Sequence, residues 1–451
     1  MNSINPLNYV NKVWHSPSLR VMFLTFVGML LALVVDVLLA ARLGTSQTTD
    51  ALVIAFSLPR LIDTVSRDGI KFSFIPLFIE RRNTLDENSF DRFVSGIINV
   101  SLVFGIVVTI LFEVLASGIV TALAPGFSSA GIAEATLLFR ACVPLVIFAP
   151  ANAVLSVLLN SQKRFYGVAL RNAVAPGFML AGFGLAWGRS NIAFWVAIAY
   201  AIGFGVFFLT LFTDAARSGY KHSWRTWSSR DELSRLWEAG FLPTLGFILG
   251  QLGRLITRQV LVSFAAVGAI STFYFAVRLV SAAQSIIGVS IATTSLPNMT
   301  EHELTGQKSR LALAMQKNVV KVLLVSLPAV IFIVFFNKTA IDLLYGHGSF
   351  NEASIELTSQ IFTWLGLSLI FISIVPVINA GLYALRAYRA VFYIMFGMAL
   401  VSVFLAWLFL QWLGLIGIAI STPLAALLNV IAIVVVLQRL KVNLIVANKS
   451  P

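Results

Sequence analysis

The sequence predicts an all-α polytopic membrane protein of about twelve transmembrane helices, arranged as two six-helix lobes. Three observations carry this prediction. Of the 451 residues 58% are hydrophobic and only 11% charged, less than half the roughly 25% charge of a soluble domain. Apolar runs of the roughly 20 residues needed to cross a bilayer recur along the whole chain. A basic loop near the middle separates six such runs from six more.

The runs are bounded by charges or turn residues. They place spans 1 to 6 at 20–42, 49–79, 93–122, 135–160, 165–187 and 191–213. Spans 7 to 12 fall at 234–262, 267–297, 315–337, 355–382, 388–411 and 413–438. The domain organisation is therefore an N-terminal segment 1–19, an N-lobe 20–213, a linker 214–233, a C-lobe 234–438 and a tail 439–451. Residues 1–18 lack the apolar core and small-residue cleavage site of a signal peptide. With the N-terminus inside, every Lys and Arg outside the spans except Arg189 and Lys338 falls on the cytoplasmic side. This positive-inside bias sets both termini in the cytoplasm. It also accounts for most of the net charge of +13, so a nucleic-acid partner is not expected.

Soluble chemistry has little to stand on. The one cysteine, Cys142, lies in an apolar run, and His15, His222, His302 and His347 are scattered. A metal site needs clustered ligands. There is no phosphate-binding glycine loop and no Ser/His/Asp or Cys/His grouping. Gly44, Thr45 and Ser46 read as a short turn and nothing more. No catalytic residue, metal or cofactor is expected.

The linker reads DAARSGYKHSWRTWSSRDEL. Trp224 and Trp227 among Arg217, Lys221, Arg225 and Arg230 fit a segment lying at the lipid headgroups, or an ordinary basic linker. A weak repeat relates the halves, as in many transporters. Span 2 holds Pro59-Arg60-Leu61-Ile62, Gly69 and Pro76; span 8 holds Val277-Arg278-Leu279-Val280, Gly288 and Pro297.

Ionisable residues inside a membrane cost about 2.5–3.5 kcal/mol each on insertion scales and mark function by default. Arg42, Arg140 and Arg171 lie near helix ends, where they can snorkel. Arg60, Thr64, Arg67 and Lys71 form a 4-3-4 stripe on span 2, with Asp63 four residues before Arg67 in the favourable order for a pair. On span 7, Gln251, Arg254 and Arg258 share a face, and span 8 adds Arg278. One reading pairs these cations structurally with Asp36, Asp63, Asp68, Glu113 and Glu238. The other is a mid-membrane cavity for an anion, favoured because span 7 has two arginines with no acid beside them. An arginine fork bonds two phosphate oxygens at once. A pyrophosphate-linked lipid is the natural anion, held by Arg60, Arg67, Arg254, Arg258 and Arg278. Asp36, Asp63 and Asp68 are candidates for ion coupling or pairing.

These residues carry a resemblance. The stretch Leu43–Glu80 resembles the signature of the MurJ/MviN lipid II flippases through Gly44, Thr49-Asp50-Ala51, Phe56-Ser57-Leu58-Pro59, Asp68-Gly69 and Pro76. Further similarity lies at Ala124-Pro125-Gly126-Phe127, Leu159-Asn160 with Arg164-Phe165, and Tyr274 with Arg278-Leu279. It continues through Leu296-Pro297, Leu344-Tyr345-Gly346 and Gly381-Leu382-Tyr383-Ala384. The resemblance implies the fold of the multidrug/oligosaccharidyl-lipid/polysaccharide (MOP, MATE-like) exporters. In that fold two lobes form a V, work by alternating access, and line a cavity with helices 1, 2, 7 and 8.

The departures from the family shape the functional expectation. Its span 1 arginines fall at Met29 and Val35, its late span 2 arginine falls at Asp63, and Arg278 is retained. Arg60, Arg254 and Arg258 stand where the family has neutral residues. The family tends to add two C-terminal helices beyond the twelve expected here.

The expected protein is therefore a transporter, not an enzyme. It is a flippase moving a polyprenyl-pyrophosphate-linked glycan, an exopolysaccharide or capsule repeat unit, to the outer leaflet. The alternatives are a divergent lipid II flippase for peptidoglycan synthesis and a non-transporting membrane scaffold for glycan assembly. A cation-drug exporter would want an acidic cavity. Expected partners are the lipid-linked glycan, membrane lipids, and polysaccharide synthesis and polymerisation proteins. Coupling to proton, sodium or membrane potential is open; the potential, positive outside, favours outward movement of an anion.

Overall fold

The computed structural model describes residues 17–442, except 190, 227–229, 293, 296–298, 300, 302–307, 386 and 441. Leu296-Pro297, Trp227, most of the N-terminal segment and most of the tail lie outside the described residues. So do the side chains of Lys71 and Glu238. Among the described residues the regular structure is helical throughout, and each expected span coincides with a helical stretch.

Seven of these helices are long and apolar enough by themselves to cross a membrane. The bent pair Ser129–Cys142 and Leu145–Ser161, angled at 41°, is long and apolar enough for an eighth if it crosses as one span. The helix Tyr388–Arg439 runs 52 residues, about 78 Å at 1.5 Å per residue against a hydrocarbon core of about 30 Å. It is two spans. Gly414 divides them with φ 59° and ψ −143°, a left-handed backbone that glycine adopts without a Cβ clash. Spans 2 and 7 fall below such a test because of their charges, and Arg171–Leu185 because it has only 15 residues.

Prolines inside spans leave a carbonyl four residues earlier without its helical donor, and at Pro59 and Pro376 a side chain elsewhere supplies one. Pro59 orphans the Ala55 carbonyl, which accepts from the buried Cys142 Sγ at 3.0 Å. Pro376 orphans the Ile372 carbonyl, which accepts from Gln284 Nε2 at 3.0 Å. In a membrane such compensation is what makes mid-span proline tolerable.

The chain forms two compact units. The first comprises 1–39, 51–122 and 128–241; the second comprises 40–50, 123–127 and 242–451. The first unit packs Phe78, Phe90, Phe93, Ile97, Leu155, Leu158 and Leu211 into one buried cluster. Aromatic rings meet edge to face within it, such as Phe78 and Phe93 at 5.6 Å.

The second unit gathers loops from distant parts of the sequence. The turn at Gly44 to Ser46 is more than a turn. Gly44 has φ +59°, and a side chain there would overlap the Ser349 backbone. Thr45 Oγ1 lies 2.6 Å from Ser354 Oγ, and Ser349 N donates to the Ala41 carbonyl at 2.8 Å. Gly126 lies so close to the Ser263 backbone that no Cβ fits, and its N–H donates to Ser263 Oγ at 3.3 Å. Tyr345 is fully buried, with its ring 4.9 Å from Phe275. The turn at Gly44 and the motifs around Gly126 and Tyr345 are thus packing joints of this unit.

Candidate functional site

Span 2 does not continue as one α-helix. Gln47–Thr64 passes through a π-helical turn, Val65–Gly69, into Ile70–Thr84. A π turn holds about one residue more than an α turn, so the side chains after it are rotated by about 100° from their α-helical places. The stripe expected from Arg60 and Thr64 to Arg67 is therefore broken, and so is the expected pair of Asp63 with Arg67. Arg67 Nη2 instead bonds its neighbour Asp68 Oδ2 at 2.8 Å. Asp63 Oδ2 accepts from Arg171 Nη2, a pair only 10% and 14% exposed.

Arg171 is thus an ion-pair partner inside the first unit and not a snorkelling cation. Arg140 likewise faces Glu113, at 3.7 Å. Arg60 lies over two rings, 4.6 Å from Phe56 and 5.1 Å from Tyr200, and its Nε donates to the Tyr200 hydroxyl at 3.3 Å. Asp36 is buried in the same unit. The first unit therefore satisfies much of its charge internally, close to the pairing reading.

The second unit differs. Span 7 runs from Arg230 to Leu255 and then through a π turn, Ile256–Leu261, so Arg254 and Arg258 straddle the change of pitch. Arg254 is exposed and Arg258 half-buried. Arg254 Nε donates to Gln251 Oε1 at 3.2 Å, and among the described residues neither arginine has a carboxylate partner. Two cations four residues apart repel each other, so an anion that bridged them would relieve that cost. Arg278 lies 6.0 Å over the Tyr274 ring, on Ala269–Gln284, which packs against the π turn of span 7. The second unit thus brings the elements bearing Arg258 and Arg278 together, and Arg60 and Arg67 belong to the first unit.

Span 8 holds a feature the sequence pattern hides. It too contains a π turn, Ser285–Val289. Ser285 Oγ donates to the Ser281 carbonyl, Ser290 Oγ to that of Ser285 and Thr294 Oγ1 to that of Ser290. The steps are four, five and four residues, so the π turn keeps exposed hydroxyls on one face. A 3.6-residue period applied to the sequence scatters them. Spans 2 and 8, the related helices of the weak repeat, each carry their π turn between the arginine block and the proline that follows.

Among the described residues no group of His, Cys, Asp and Glu is placed to hold a metal ion. The family described as lipid II flippase MurJ matches the chain over residues 39–448. The chain belongs to the MurJ family. A probable lipid II flippase MurJ from Rickettsia prowazekii (strain Madrid E) is 26% identical over 416 residues, covering 90% of this chain and 80% of the relative. The probable lipid II flippase MurJ of Buchnera aphidicola subsp. Acyrthosiphon pisum (strain APS) is 24% identical over 376 residues, covering 82% and 73%.

Among solved structures, a lipid II flippase MurJ in an inward closed conformation superposes with a TM-score of 0.82. It has 21% identity and covers 93% of this chain and 87% of that one. An inward-facing MATE family transporter of the MOP superfamily gives 0.78 at 14% identity, covering 95% and 98%. The fold is that of the MOP exporters, and this MurJ-family protein is a multi-pass membrane transporter rather than an enzyme. The resemblance read from Leu43–Glu80 and the later motifs holds over most of the chain.

Proposed function

We propose that this MurJ-family protein flips lipid II, the polyprenyl-diphosphate-linked precursor of peptidoglycan, across the bacterial inner membrane. The reading rests on the family match over residues 39–448 and on relatives described as lipid II flippases. It replaces the capsule or exopolysaccharide unit as the preferred substrate. That preference came from the arginines missing at positions 29 and 35. Arg254 and Arg258, without carboxylate partners among the described residues, offer the same diphosphate chemistry from the second unit.

In this reading Arg254 and Arg258 take the diphosphate, their planar forks each bonding two of its oxygens. Arg278 adds charge from span 8. Within the first unit Arg60 and Arg67 are further candidates for the same chemistry, Arg60 with its guanidinium held against Phe56 and Tyr200. Both termini face the cytoplasm, and the membrane potential favours the anion's outward path.

Mass spectrometry of polyprenyl-linked lipids after depletion of the protein tests this. A disaccharide-pentapeptide lipid is expected to accumulate, and Arg254→Gln/Arg258→Gln should fail to clear it. Accumulation of a multi-sugar lipid without peptide would overturn lipid II in favour of a polysaccharide unit. No accumulation of either would point to a scaffold.

A further inference from the structure

Past residue 217 and as far as residue 226 the linker is neither extended chain nor helix. After Ile192–Arg217 the chain reverses at Gly219, with φ +97°, and residues 220–226 dock on Glu87–Val114. Tyr220 is buried, its hydroxyl 2.8 Å from Ser95 Oγ. Lys221 N donates to Asp91 Oδ2 at 2.9 Å and Ser223 N to Ser95 Oγ at 3.1 Å. Asn99 Nδ2 donates to the carbonyls of Ser223 and Thr226, at 2.9 and 2.7 Å. Its Oδ1 is left to accept from His222 Nε2 at 3.1 Å. That assigns His222 the tautomer whose Nδ1 accepts from the Tyr220 hydroxyl, at 2.7 Å.

This rigid hook presents an indole outward. Trp224 is 63% exposed, yet it is braced by the His222 ring at 4.2 Å and stacked on Phe212 at 6.3 Å. Phe212 is one turn beyond Leu209, and Leu209 and Ile202, seven residues apart on one face, are themselves exposed. Trp224 therefore ends an outward apolar face of a membrane-spanning helix. Arg217, Lys221 and Arg225 around it are exposed. Two nearby acids are engaged elsewhere, Asp91 on the Lys221 backbone and Asp214 on Arg164 at 2.6 Å, and Glu87 on the docking helix is exposed.

We infer that residues 217–226 form an interfacial anchor for anionic phospholipid. The Trp224 indole lies at the carbonyl level of the bilayer, and Lys221 and Arg225 bind lipid phosphates. Indoles favour that layer because one end of the ring system is apolar and the N–H is wet. Basic residues beside it gain from anionic headgroups. A fixed hook avoids the ordering cost that a mobile segment would meet at the membrane. The anchor is independent of the transported substrate.

The test uses the full-length protein in vesicles of phosphatidylcholine with and without phosphatidylglycerol. Trp224 emission is isolated as the difference between wild type and W224F, whose fold is checked by its melting temperature. Lipids brominated near the carbonyl end should quench that emission, and aqueous iodide should not. K221Q/R225Q should lose most of the preference for phosphatidylglycerol in native mass spectrometry. Emission open to iodide and untouched by brominated lipid would overturn the anchor and leave the surface to a protein partner. So would an unchanged lipid preference in the double variant.

Discussion

The Asp50 carboxylate accepts the backbone N–H of Ser271 through Oδ1 and that of Gly268 through Oδ2, both at 2.7 Å. Gly268 precedes the helix Ala269–Gln284 and brings no capping side chain of its own. Asp50, more than 200 residues earlier, supplies the acceptor for the helix's free N–H groups and the negative charge its dipole favours. Asp50→Ala should cost about 2 kcal/mol, the range for a lost bond to a charged group. Asp50→Asn, which keeps an acceptor, should lose less. Thermal unfolding in detergent checks both, and equal losses would refute the capping role.

A second pair links Cys142 to Pro59. Cys142→Val removes the donor to the Ala55 carbonyl and should destabilise by about 1 kcal/mol. In a Pro59→Ala background the restored amide can serve that carbonyl, so the same substitution should cost less. The double-mutant cycle reads this directly; additive costs would show that the thiol does not serve the carbonyl.

Asp63 and Arg171 form a mostly buried ion pair, so removing either partner strands the other. Asp63→Asn or Arg171→Met should each cost about 3–5 kcal/mol, while the double variant should recover much of the loss. Unfolding midpoints of the three variants decide it. A double variant no more stable than the singles would refute the pairing.

The π turns make a geometric prediction. Deleting Ser66 should convert Val65–Gly69 to α-helical pitch and turn every later side chain of span 2 by about 100°. The protein should reach the membrane but fail to clear the accumulating lipid precursor. Normal clearance would mean that the turn does not set the orientation of this helix.

His222 adds a pH dependence. Burial lowers its pKa from the usual 6.5, so the unfolded hook binds the proton more readily than the folded one. Its contribution is complete above pH 6.5 and falls as pH drops from there toward the folded pKa. Hydrogen exchange at 220–226 should accelerate over that window in wild type and not in His222→Gln. A flat profile in wild type would remove histidine from the hook's stability.

The sequence by itself determined the membrane class, the places of the spans and the family, because apolar runs, charge bias and turn motifs are local patterns. Leu43–Glu80 carried the family resemblance for that reason. The partners of the charges were a different matter. Asp63 sits four residues before Arg67, yet a π turn, which no 3.6-residue pattern foretells, carries Arg67 away from it to Asp68, and Asp63 pairs with Arg171 a hundred residues on. The same irregularity hid the hydroxyl face of span 8. Gly44 read as a turn residue and Gly126 as part of a family motif, and only packing showed what lies against them. Tertiary structure decided these points because the carbonyl orphaned by a proline, the N–H left by an uncapped helix and a buried carboxylate take whichever partner the fold brings within reach.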